Sequence, residues 1–248
     1  HPGHIRTLRK TPAAFLLRPF RVRNRLICRK KLDRVGHNSL IIGTSLRCRP
    51  SGRVIGKTVR IRRSPATVTA THFTDNNVGI YVDPISPSGS GAVTLTANGN
   101  MFQCTPGQLK PDYPNQSPIP VETGYAGIWA NDLSGLAIQK DQDGYTNVFE
   151  NLVMGIIALN TSFSIKDAAF KNMMPLINLP AGYAAANTGS GIYVENGSAH
   201  VDGQGIASNS PYSFENCAQG IEAWYSSIYA KNNRMRNMDI GVRVDMAS

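Results

Sequence analysis

Phe214-Glu215-Asn216-Cys217-Ala218-Gln219-Gly220-Ile221 and, 21 residues later, Met235-Arg236-Asn237-Met238-Asp239-Ile240-Gly241-Val242 carry the same phrase. A large apolar residue is followed by one residue, Asn, three residues, then Gly and a β-branched residue. A third copy runs from Phe149-Glu150-Asn151 to Gly155-Ile156. A repeat of this length is one supersecondary unit that cannot bury its own apolar face, so it must stack on a copy of itself.

Weaker copies extend the series in both directions. Phe73-Thr74-Asp75 leads to Gly79-Ile80 with Asp in the Asn position. Phe170-Lys171-Asn172 has its Gly half displaced by an insertion to Gly191-Ile192, and Phe102-Gln103-Cys104 has its own at Gly127-Ile128. After each Gly the chain alternates, as in Ile80/Val82, Ile128/Ala130, Ile156/Ala158, Ile192/Val194, Ile221/Ala223 and Val242/Val244. A period of two marks a strand with one buried face. Further apolar pairs follow at Phe163/Ile165, Ala199/Val201 and Ile228/Ala230. Three short strands per turn suit an all-β parallel solenoid whose coils pair at ~4.8 Å. Helical repeats are the rival for such a period, but Gly at every strand start, Asn at the turns and β-branched residues between argue against helices.

Asn at the turns has a physical role in this reading. An inward Asn bonds to the backbone of a sharp bend and to the Asn of the coil above. Asn151, Asn172, Asn216 and Asn237 are therefore expected to form a structural ladder, beside an inner stack of Phe149, Phe170, Phe214 and Met235.

These repeated coils resemble right-handed parallel β-helix proteins, the pectate-lyase-like superfamily in the broad sense, and more narrowly the β-helical regions of large secreted bacterial surface proteins. The resemblance covers residues 64–248, in about six coils. It implies a secreted or cell-surface protein with polysaccharide or cell-surface glycan as partner. The scaffold carries lyases, hydrolases, adhesins and spacers alike, so it names no reaction.

Charge divides the chain in two. Residues 1–63 hold 18 Lys/Arg against one acid, Asp33, for +17; the remainder holds 8 basic and 15 acidic residues, for −7. Three readings of 1–63 stay open: a basic arm for polyanions, degenerate edge coils with a cap, or a poorly ordered stretch from an unintended frame. Only charge speaks for polyanions, and nucleic acid is not the partner expected. Phe15-Leu16-Leu17 is too short for a signal peptide, and no membrane span is present. Gly56-Lys57-Thr58 fails as a phosphate loop because Ser51 stands where Gly belongs. Cys28 and Cys48 lack zinc-spaced partners, and Cys104 and Cys217 read as free buried thiols. No metal or cofactor is implied, and calcium has no motif behind it. The missing cap after Val244 and the start at His1 read as a piece of a longer chain.

Alternation places two columns on the outside of the first strands. One is Tyr81, Trp129, Ile157, Tyr193, Glu222 and Arg243; the other is Asp83, Asn131, Leu159, Glu195, Trp224 and Asp245. Aromatics beside acids and amides stack sugar rings and bond their hydroxyls, unless the long loops 105–126 and 173–190 fold over them. For catalysis the candidates are Glu195 and Glu222, roughly 8 Å apart between Cα atoms by strand spacing, a spacing compatible with an inverting glycosidase. An ion pair of Glu222 with Arg243 is the simpler expectation. The sequence sets of polygalacturonases and the acid-plus-Arg cluster of pectate lyases are absent. The reading is a binding or adhesion module or a spacer, with a lyase or hydrolase as the alternative.

Overall fold

The computed structural model describes residues 33–34, 39–42, 53–55, 58–62, 65–84, 93–108, 123–176 and 188–246. These residues form strands and turns with no helix. The chain visits three columns of strands in turn. The first holds β2 (Ser39–Ile42), β4 (Thr58–Ile61), β7 (Val78–Val82), β10 (Ala126–Asn131), β13 (Met154–Leu159) and β16 (Ser190–Glu195). The second holds β5 (Ala66–Thr69), β8 (Thr94–Asn98), β11 (Gly135–Gln139), β14 (Ser162–Lys166), β17 (Ser198–Asp202) and β19 (Ser227–Lys231). The third holds β3 (Arg53–Ile55), β6 (His72–Thr74), β9 (Met101–Gln103), β12 (Val148–Glu150) and β15 (Ala169–Lys171). The long strands β18 (Phe214–Trp224) and β20 (Met235–Asp245) run from the third column into the first.

Neighbours within each column are parallel. The exception is β1 (Asp33–Arg34), which lies antiparallel on β2. β2, β3 and β4 fall inside the basic segment 1–63 yet continue the first and third columns. The paired strands thus begin before residue 64. The rest of 1–63, with Cys28 and Cys48, lies outside the described residues.

The register explains the repeated phrase. Ile80, Ile128, Ile156, Ile192, Ile221 and Val242 sit one above another, so the six glycines open successive rungs. Phe73, Phe102, Phe149, Phe170 and Phe214 stack inside with ring centroids 4.7 to 4.9 Å apart. That spacing is the ~4.8 Å between paired strands, so the backbone sets it. Gly79, Gly127, Gly155 and Gly191 each lie against one of these rings, and Gly220 and Gly241 against Met238 and Met235. A Cβ on Gly155 would stand 2.6 Å from Phe170 Cδ1 and 2.3 Å from the Gly191 carbonyl, and one on Gly127 would be 2.5 Å from Phe149 Cδ1. Glycine recurs because ring and next rung leave no room for a side chain.

The Asn ladder exists, but not where it was expected. Asn172 Nδ2 donates to Asn151 Oδ1 at 3.1 Å, Asn216 to Asn172 at 3.0 Å, and Asn237 to Asn216 at 2.9 Å. Asn216 and Asn237 are nonetheless exposed, so this ladder lies on the outer rim of the corner. Backbone conformation is the reason. All four have φ of 53–55°, in the left-handed region that Asn enters more readily than most residues. The other corners use the same device at Asp132, Asn160 and Asn196, and at Asp167 and Asn232. The inward amides are different ones. Buried Asn100 and Asn147 bond each other at 3.1 Å and donate to the Val68 and Ala97 carbonyls. They satisfy backbone groups that a buried corner would otherwise strand.

Candidate functional site

The outward face of the first column follows from period-two alternation. Tyr81, Trp129, Ile157, Tyr193, Glu222 and Arg243 lie in register, with Arg60 above Tyr81. Asn131, Leu159, Glu195, Trp224 and Asp245 form the parallel column, and Asp83 joins at its upper end through a backbone bond to Ile61. Both expected columns are therefore continuous.

Their surroundings are less open than alternation alone suggests. Val78, Ala126, Val153, Met154, Ile157 and Leu176 make a second apolar cluster outside the main core, and Tyr81, Tyr125, Trp129, Leu159 and Tyr193 pack on it. Tyr125 and Leu176 come from the ends of the two long loops, so loop packing covers part of the column. Tyr81, Trp129 and Tyr193 stay half-buried. Trp129 meets Tyr81 edge-on at 5.6 Å and Tyr125 at 5.9 Å between ring centroids. The middle stretches of both loops lie outside the described residues.

Polar groups at the lower end are tightly engaged. Glu222 points outward yet is fully buried. It accepts Ser190 Oγ–H at 3.0 Å and Trp224 Nε1–H at 2.9 Å. Burial raises its carboxyl above the ordinary value, and the two hydrogen bonds only partly offset this. Tyr193 donates its hydroxyl to Glu195 Oε2 at 2.9 Å, and burial followed by that bond raises the phenol. Burial, then Asp83, raises the Tyr81 phenol.

The expected ion pair between Glu222 and Arg243 is not formed. Arg243 Nη2 instead contacts Asp245 Oδ2 at 3.1 Å, and its guanidinium lies 5.0 Å from the Trp224 ring centroid. Asp245 and Trp224 lie on the same outer face as Arg243, two residues along the strand and one rung above, whereas Glu222 is already hydrogen-bonded. Glu195 and Glu222 lie diagonally on neighbouring rungs, since Tyr193 pairs with Glu222 and Glu195 with Trp224.

Sequence reasoning passed over three groups in this region: Ser190, Tyr125 and Leu176. Ser190 precedes a Gly of the phrase, so its register against Gln219 was legible; the two loop residues had no periodic signal. A shallow open depression of about 420 Å³ also lies elsewhere, over Thr94, Thr96, Gly135, Ala137, Ser162 and Ser164 of the second column. It offers hydroxyls and no titratable group. His200 is exposed nearby, edge-on to Tyr229 at 4.6 Å. Cys104 and Cys217 are buried free thiols, each raised to about 11 by burial. Among the described residues no three His, Cys, Asp or Glu converge on a metal position, and no helix is long and apolar enough to cross a membrane. No protein-family model, curated protein or solved structure matches this chain.

Proposed function

We propose that the chain is a right-handed parallel β-helix of the pectate-lyase-like kind, part of an extracellular or cell-surface protein, and that it binds polysaccharide along its first strand column. One observation carries this reading. Tyr81, Trp129 and Tyr193 stand on one face in register, half-buried, beside Asp83, Asn131 and Glu195. Rings held by a rigid sheet bind at little entropic cost, and adjacent acids and amides accept or donate to sugar hydroxyls. Trp224 extends the surface beyond Glu195 by one rung. An adhesive or spacing role in a larger surface protein fits the same scaffold.

The test is retention of the chain on an array of plant, algal and bacterial glycans. Trp129→Ala and Tyr193→Ala are expected to lose retention at least tenfold, roughly 1.4 kcal/mol, while keeping the β-type circular dichroism of the parent. Unchanged retention in both folded variants removes the proposal.

A further inference from the structure

Among the described residues Glu222 is the one carboxylate that is fully buried. It stands in the outer column below Tyr81, Trp129, Ile157 and Tyr193, where the other rungs carry aromatic or aliphatic side chains. A buried acid is costly unless its oxygens are used. Both are used here. Oε2 accepts from Ser190, itself fully buried on the rung above, and Oε1 accepts from Trp224 Nε1 on the same strand. Arg243 leaves the acid alone and pairs with Asp245.

Trp224 needs such a partner, because it lacks what fixes the other rings. Trp129 and Tyr193 pack on the outer apolar cluster, and Trp129 also meets Tyr81 and Tyr125. Trp224 stands apart from that cluster; its ring has the Arg243 guanidinium at 5.0 Å and its N–H has Glu222 at 2.9 Å. We propose that Glu222 is a positioning residue of the glycan surface: with Ser190 it ties the Trp224 indole to the rung above, so that the ring is fixed before a sugar chain arrives. This role rests on the reading of the column as a glycan-binding face. Glu222 is covered and touches no ligand; it removes the ordering cost that a free indole would pay on binding.

The experiment compares Glu222→Ala, Glu222→Gln, Trp224→Ala and the double variant Glu222→Ala/Trp224→Ala, in the full chain, on the glycan array. Fluorescence anisotropy decay of Trp224 is read in a Trp129→Phe background, where it is the only Trp. Glu222→Ala is expected to lose about fivefold in retention, the ordering of one large side chain, and to give Trp224 a fast local motion. Glu222→Gln still accepts from Nε1 and still reaches Ser190, so it should keep both retention and rigidity. With Trp224 already replaced by Ala, Glu222→Ala should bring no further loss. A rigid Trp224 in folded Glu222→Ala overturns the proposal, as does a loss that persists undiminished without Trp224. If Glu222→Ala does not fold, Trp224→Phe severs the same bond from the outer side and should also lose retention; full retention overturns the proposal. A parent chain that binds no glycan removes the reading of the column and this role with it, whereas the anisotropy, which needs no ligand, fails the role alone.

Discussion

The two faces of the first strand column differ in how they vary from rung to rung. Inside, Ile80, Ile128, Ile156, Ile192, Ile221 and Val242 repeat one β-branched shape. Outside, the same strands present Tyr81, Trp129, Ile157, Tyr193, Glu222 and Arg243, no two neighbours alike. The inner positions share one environment, set by the Phe stack and the rung spacing, so each rung has the same solution. The outer positions answer to loops and solvent, which differ at every level. Scaffold information is therefore repetitive and functional information is local, even though the two alternate residue by residue along the same strands.

This comparison is most easily broken in the interior. Phe149→Ala removes the middle ring of the stack and is expected to lower unfolding free energy by about 4 kcal/mol. Gly155→Ala should cost roughly 3 kcal/mol through overpacking against Phe170 and the Gly191 carbonyl. Trp129→Ala, on the outer face of a neighbouring rung, should cost about 1 kcal/mol because the ring is only half-buried. Urea midpoints rank the three, and an outer-face loss equal to the inner ones erases the distinction.

A smaller effect is expected at the corners. Asn172→Ala should lose about 1 kcal/mol, because Ala enters the left-handed region less readily than Asn. Asn172→Gly should recover most of it, since Gly enters that region freely. If both variants lose equally, the side-chain ladder rather than the backbone governs this corner.

The smallest effect concerns pH. Glu222 titrates above its ordinary value of 4.5 because it is buried. Between 4.5 and its raised folded value the folded chain holds a proton that the unfolded chain has released. Stability should accordingly fall as pH rises through that window, and be fully present below it. Glu222→Gln should flatten this slope in denaturant titrations; a slope unchanged by the substitution assigns it to other groups.

Much of the scaffold was legible because its rule is periodic. The Phe-x-Asn phrase and the Gly-Ile start located the rungs, and alternation placed Tyr81, Trp129 and Glu195 on the outside. What alternation cannot read is contact between residues distant in sequence. The cause of Gly155 is a ring at position 170, and the fate of Glu222 depends on Ser190 and Trp224, one of them in another rung. The exposed Asn column drew attention because its residue type repeats in four rungs. The buried amides Asn100 and Asn147 did not, although each stands two residues before a Phe of the stack, as Asn233 does before Met235. Covering by Tyr125 and Leu176 lay beyond any local pattern, because loops bring them there.

In-register stacking of rungs across the long insertions is the central claim, and a cross-link tests it directly. Ser164 and His200 face outward as paired neighbours on β14 and β17, although 36 positions apart in sequence. In a background with Cys28→Ser and Cys48→Ser, the pair Ser164→Cys/His200→Cys should oxidise quantitatively to an intramolecular disulfide, read by peptide mass spectrometry. Parallel neighbours at ~4.8 Å suit such a bond. The pair Ser164→Cys/Tyr229→Cys, two rungs apart, should remain reduced; cross-linking of that pair in preference to the first would contradict the stack.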